Sequence, residues 1–537
     1  MSKGVKGILI AVMIVAALAI GIVARIATWD RTDSIRFSRD FQNGYFWGSQ
    51  VMKDARLIGP GSEDAPQGFG RWVRFFDSYV DIYDRVYNEA ADRDNDYWLD
   101  YPPLRLLIMA VWTKSIREHN PALEKPTSPD VAPLLVFNGV MEILSAVAMF
   151  YLVRLWITRI RAQRPAEQWK IPAETIAFGA ALLVWFNPAC LLNSHGWPQW
   201  DIWIVPFFIF AALSASCSRW LLCGLLLGAA AFLKGQILIV SAFFPLWAFF
   251  SEGRMAGLRV LAGWVGAFVG VASPWLLKGF GPYVWIVVDA LLLAPIIWLT
   301  WKGRIAQATW ALVAAIGVLV FIGWNFRGSF TWLEIGFHYG SNRYAEMFSG
   351  AVYNVPAALA HLGWNLKDPV YTIHLSGDHS IALPSIRILL MMVYLALLLI
   401  AAYSVSFHAR RHRSEVLLAM ACPWILMFAL LGQMHERYLL WGAIMSAAAA
   451  ILRPSLFLLY LTLSFGTCAM ILTVMLKQAH EEILPPSMAF LDQYAALANV
   501  AFSAIMAGAF LYVAWAPFRH AMAEGLKRLK GWGDIEA

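Results

Sequence analysis

Apolar runs close to 20 residues long recur along the whole of this 537-residue chain, and about 20 residues of helix cross a bilayer. Lipid offers no partners to backbone N–H and C=O groups, so such segments fold as helices that satisfy their own hydrogen bonds. Hydrophobic residues make up 60% of the chain and charged residues 14%, against about half and about a quarter in a soluble domain. The sequence therefore predicts an all-α polytopic membrane protein, a single membrane domain over residues 1–537. The net charge of +7 does not indicate a nucleic-acid partner, because the Lys and Arg residues fall in short turns between apolar runs. The five cysteines show no CxxC spacing and read as small buried residues.

The first apolar run, about residues 6 to 27, exceeds the usual core of a signal peptide and reads as a retained span with Lys3 and Lys6 in the cytoplasm. A polar segment follows, roughly 28 to 104, rich in aspartate and aromatic residues. The next piece, 103 to 117, is short and carries Arg105 and Lys114, so it reads as an amphipathic helix at the outer interface. That choice sends the run at 132–154 inward and puts Arg154, Arg159, Arg161, Arg164 and Lys170 in the cytoplasm, as the positive-inside rule asks. Later spans then alternate at about 174–192, 200–217, 219–234, 236–250, 257–277, 284–301, 306–324, 385–407, 414–433, 437–453, 455–476 and 495–517. The total is about 14 transmembrane helices with both termini inside. Two long external loops are expected, the first at 28–131 with interfacial helices and the second at 325–384. Loops of that length are usually functional or disordered, and their aromatic content argues against disorder.

Chemistry-bearing residues concentrate at the expected outer face. In the first loop Asp40 lies among Phe41, Tyr45, Phe46 and Trp47, aromatic rings suited to stacking on sugars, while Asp77 and Asp81 lie in FDSYVDIYD. Asp100 and Tyr101 precede a diproline, where Asp100 fits equally as a helix cap. In NSHGWPQWDIW, His195, Gln199 and Asp201 stand at a helix break beside three tryptophans, either as a functional group or as polar residues of an aromatic belt. Lys234 in LKGQ reads as an anion site or as a lysine reaching for the headgroups. Arg343 is a basic residue in the otherwise base-poor outer turns. His435, Glu436 and Arg437 are consecutive ionisable residues between apolar runs: Arg and His suit a phosphate, and Glu436 suits orienting them. The triplet does not form HExxH, so zinc-protease chemistry is not indicated.

Taken together, LDYPPL at 99–104, the aspartate-rich loop before it and the late triplet His435-Glu436-Arg437 resemble the GT-C glycosyltransferases. The likeness is strongest to the endoplasmic-reticulum glucosyltransferases of the asparagine-linked glycosylation pathway, whose late triplet has Lys where this chain has Arg437. The resemblance implies a GT-C-like fold and a membrane hexosyltransferase that uses a polyprenyl-phosphate sugar as donor. It implies a catalytic aspartate upstream of LDYPPL, matched here by Asp40, with Asp77 or Asp81 as the alternative. On the chemistry of the residues, donor-phosphate contacts are expected from His435, Glu436, Arg437 and Lys234, and substrate contacts from Asp100, Tyr101, His195, Gln199, Asp201 and Arg343. Arg327 to Phe330 is a weak counterpart of an external family motif. No metal or other cofactor is expected. The acceptor is a glycan, lipid or protein, and the membrane is a bacterial inner membrane, or that of the endoplasmic reticulum in a eukaryote. Competing readings are a secondary transporter, in which Asp201 and Glu436 relay protons, and a polysaccharide-lipid ligase or flippase.

Overall fold

The computed structural model describes residues 3–36, 38–59, 62–90, 97–163, 171–281, 283–339, 351–374, 380–480 and 483–533. Among these residues nine helices have the length and composition of a membrane span. The other five expected spans are shorter apolar helices: Asp201–Ser216, Trp220–Ala231, Ile237–Glu252, Glu415–Leu430 and Leu439–Ala450. The division has a packing logic. Every residue of Leu439–Ala450 is buried, whereas only Ile296 is buried in Val284–Trp301. Leu439–Ala450 and most of Glu415–Leu430 are surrounded by protein, whereas Val284–Trp301 turns an apolar face outward.

The segment between the first two long helices is itself helical. Helix α1 (Lys3–Arg31) is followed by α2 (Arg39–Asp54), α3 (Phe69–Ala90) and α4 (Pro103–His119) before the long helix α5 (Ser128–Gln163). In α3 the buried residues Phe75, Ser78, Tyr79, Ile82, Tyr83, Val86 and Ala90 recur at spacings of three and four, so one stripe faces the protein. Helix α4 starts where its sequence dictates, with Pro103 at the first helical position. Its residues Leu106, Met109, Ala110, Trp112 and Thr113 are buried, so one face packs against the protein. The contact partner is α2, and the closeness is set by Gly44 and Gly48. A Cβ on Gly48 would fall 2.2 Å from Thr113 Oγ1, and one on Gly44 2.7 Å from Met109 Sδ.

Tyrosine hydroxyls tie α3 to the run before α4. Tyr79 donates to the carbonyl of Pro103 and Tyr83 to that of Tyr101, each at 2.7 Å. From the bundle, Trp275 donates to the carbonyl of Val80 at 3.0 Å. The 325–384 segment is joined to the same place. Asp84 on α3 accepts from Ser329 at 2.5 Å and Thr331 at 2.6 Å, and Lys278 reaches both Asp81 and Asp84 at 2.5 Å. Its described part continues as a turn at Glu334–His338, a helix Val355–His361 and a two-stranded antiparallel ribbon, Thr372–His374 against Ser380–Ala382.

Of the cysteines, Cys217 is exposed, in the turn between Val205–Ser216 and Trp220–Ala231. If the basic turns face the cytoplasm, as the sequence predicts, impermeant maleimide should leave Cys217 unlabelled in intact cells and label it after permeabilisation. Ser62→Cys should add a site that reacts in intact cells. The reverse pattern would invert the topology.

Candidate functional site

The sequence places Asp40 in the first turn of α2, after Ser38, where the helix N-terminus favours a negative charge. Its Oδ2 accepts from the indole of Trp197 at 3.0 Å and from the amide of Gln199 at 2.5 Å. Both donors come from the break at 192–204. There Asn187 caps a short helix by accepting from Cys190 N, one π-helical turn runs over Leu192–Gly196, and Pro198 prevents its continuation. The face of Trp197 also carries the Arg437 guanidinium, 5.3 Å from the ring centroid. A single indole thus stands between a carboxylate at its edge and a cation on its face.

The cation belongs to a buried ion cluster. Asp201 is fully buried; it accepts a hydrogen bond from Lys234 and lies 3.2 Å from Arg437 Nε. Glu436 closes the other side of Arg437 at 2.7 Å, and His435 Nδ1 lies 3.8 Å from Glu436. Lys234 lies over the rings of Tyr438 and Trp441, and the Trp441 indole donates to the backbone carbonyl of Asp201 at 2.9 Å. Burial works against ionisation of Glu436, but Arg437 and His435 outweigh it and hold the carboxyl at about 2. Glu436 therefore remains charged across the working range of pH.

Asp100 and Tyr101 belong to this region, and neither caps α4: the N-cap is Pro102, with no side-chain bond to the helix end. Burial raises the Asp100 carboxyl above the ordinary carboxylate range; Arg105 opposes the rise and Asp40 adds to it. The Tyr101 hydroxyl donates to the backbone carbonyl of Asp40 at 3.4 Å, and the ring of Tyr101 lies 4.1 Å below the guanidinium of Arg105. In the sequence Arg105 is only a charge unsuited to a span. Here its field acts on Asp100, Asp201 and Tyr438, so it sits among the site residues. Lys234 and Arg437 are bonded to carboxylates, but Arg105 has no ion-pair partner among the described residues. The available signal was its place two residues after the diproline, on the first turn of a helix whose start points at Asp100.

Three expected site residues lie apart from this cluster. Asp77 and Asp81 line a cleft against Lys278. His195 points into the bundle, 3.3 Å from Glu142 on α5, which also accepts from Arg25 of α1 at 2.5 Å and from Cys190 at 3.3 Å. One turn earlier on α5, Asn138 donates to the carbonyls of Ser194 and Gln199 at 2.8 and 3.2 Å. This network, invisible from the sequence, fixes the loop that carries Trp197, Gln199 and Asp201. Arg343 lies outside the described residues. No group of three or more His, Cys, Asp or Glu side chains arranged to hold a metal occurs among the described residues. No protein-family model matches the chain, and no curated protein matches it.

The raised carboxyl of Asp100 carries a signed consequence. A carboxyl whose pKa is higher in the folded state favours folding when protonated, and that contribution is lost as pH rises through the folded value. Asp100→Asn removes the loss. The variant should therefore gain melting temperature over the parent at pH 7 and gain little or nothing at pH 4, by fluorescence-detected unfolding in detergent. An equal shift at both pH values would place Asp100 in an ordinary, solvated environment.

Proposed function

We propose that this chain is an inverting membrane glycosyltransferase of the GT-C type, moving a hexose from a polyprenyl-phosphate sugar to an acceptor hydroxyl. The observation that carries the reading is the pairing across Trp197: a carboxylate held at the indole edge and a buried cation cluster at its face. Both protein donors to Asp40 fall on Oδ2, so Oδ1 is the oxygen offered to the acceptor. In the proposed reaction Oδ1 takes the acceptor proton. The acceptor oxygen forms a bond to the anomeric carbon from one face, and the bond to the phosphate oxygen breaks on the other. Polyprenyl phosphate leaves with the electron pair. Arg437 and Lys234, held in place by Asp201, and Arg105, with no carboxylate of its own among the described residues, meet the charge that develops there. His435 lines the same turn.

On this reading the five shorter apolar helices also cross the membrane, for about 14 spans in all, and both termini lie in the cytoplasm. The donor enters from the lipid, the acceptor is a glycan, lipid or protein, and the membrane is a bacterial inner membrane or that of the endoplasmic reticulum. A transporter would need Asp201 and Glu436 to exchange protons. Both are locked to Arg437, and Glu436 is held at about 2, which disfavours that role.

The test is transfer of labelled hexose from polyprenyl-phosphate hexoses by purified protein supplied with membrane acceptors. Asp40→Asn should lower turnover about 10²- to 10⁴-fold with donor affinity kept, while Asp77→Asn and Asp81→Asn should leave it near the parent value. Loss of turnover in the latter two with Asp40→Asn active would move the base to α3. A wild-type protein that releases no sugar from any such donor defeats the proposal.

The leftover cation gives a second outcome. Arg105→Gln should reduce kcat/KM for the donor about 10²-fold, the size of one lost electrostatic contact in a transition state. Full activity in Arg105→Gln would assign the phosphate to Arg437 and Lys234 alone.

A further inference from the structure

Away from the ion cluster, α3 and α4 cover a cleft of about 510 Å³ at the ends of the helices Arg254–Leu276 and Val284–Trp301. Its interior is apolar, lined by Leu104, Leu107, Val271, Trp275 and Trp285. Val284–Trp301 presents almost all of its surface outward, with Ile286, Val287 and Leu291 exposed, so the cleft borders lipid. A Cβ on Gly270, which lines the cleft, would meet nothing within 4 Å.

The rim is polar and unbalanced in charge. It carries Asp77 and Asp81, one turn apart on α3, against Lys278, the one cation lining it among the described residues; Lys278 also reaches Asp84, a turn further on. Asp84 is saturated by Lys278, Ser329 and Thr331. Asp77 is half-buried and has no hydrogen bond or ion pair among the described residues. Burial and the neighbouring Asp81 both push its carboxyl up, which is the signature of a carboxylate that lacks a cation. Arg74, one turn before it, is exposed and makes no ion pair with it. Tyr283, also on the rim, has a buried hydroxyl without a partner among the described residues and a backbone φ of 68°, a conformation costly for a tyrosine.

We propose that this cleft binds an ethanolamine phospholipid, with its ammonium group between Asp77, Asp81 and the Tyr283 hydroxyl, its phosphate towards Lys278 and its acyl chains in the apolar interior. The chemistry selects this occupant. A primary ammonium brings three N–H donors, enough for Asp77 and the Tyr283 hydroxyl, which have no donor among the described residues, and for Asp81, which shares Lys278 with Asp84, whereas a choline group brings none. An anionic phospholipid, or a polyprenyl phosphate, meets a rim with more carboxylates than cations. The inference needs only that the chain is embedded in a membrane, and stands apart from glycosyl transfer.

Nanodiscs built from equal parts of ethanolamine, glycerol and choline phospholipids, loaded with the full chain and then exchanged into detergent, provide the test by mass spectrometry of the retained lipid. The parent protein should retain the ethanolamine lipid on the order of fivefold or more over the other two, as expected for charge-assisted hydrogen bonds. The double variant Asp77→Asn with Asp81→Asn should lose that preference. Gly270→Trp fills the cleft from a position with open space, so it should fold normally and retain less lipid of every kind. Equal enrichment in all three proteins would mean lipid held around the bundle only. Preference for a glycerol or choline lipid in the parent would equally overturn the assignment. If the double variant fails to fold, unchanged retention in Gly270→Trp is enough to reject it.

Discussion

Asp201 is a fully buried carboxylate that gathers Lys234 and Arg437, residues from three separate turns of the chain. Removing one partner of such a cluster costs about 3 to 5 kcal/mol, because the remaining charges are left buried and unopposed. Here Lys234 would lose its carboxylate while Arg437 kept Glu436, with Arg105 close enough to add its field. The arrangement therefore commits the turns at 201, 234 and 437 to one another. Arg437 in turn supports the face of Trp197, and Trp197 supports Asp40. The geometry around the candidate base is thus inherited from an ion cluster that it does not touch directly.

How much of this was readable in advance follows from the range of the interactions. Spans are a local property of composition, so the apolar runs located the helices, and the basic turns suggested their direction. The residues His435, Glu436 and Arg437 stood out because three charges in an apolar neighbourhood are visible without any partner. Asp40 stood out by its aromatic neighbours, and the structure gives it two donors from the break at 192–204. What stayed hidden depends on contacts between distant segments. His195 lies 53 residues from Glu142, so nothing local shows that it turns inward. Asp77 and Asp81 are aspartates of the same loop, and only the packing of α3 turns them to a separate cleft, where Asp81 meets Lys278. Asp100 looked like a helix cap because a diproline follows it, but Pro102 takes the cap position.

The two segments expected as external loops behave as built structure rather than as flexible covers. Helix α3 carries an apolar stripe, spends two tyrosine hydroxyls on the chain before α4, and meets the 325–384 segment through Asp84. Gly44 and Gly48 allow α2 to lie directly on α4, which fixes the distance between Asp40 at one end of α2 and the diproline turn beside it. Neither contact requires a ligand, so the described part of the site is shaped before any substrate arrives.

Glu142 and Asn138 give this preorganisation an unusual mechanical reference. Both sit buried inside the long helix α5, and they hold the loop 190–203, with Arg25 of α1 completing the attachment. A change in bilayer thickness is absorbed by long helices through tilt. Because the loop is fastened to the two long helices themselves, it travels with them when they tilt. The position of Trp197, Gln199 and Asp201 is then set by the long helices rather than by the surface turns around them.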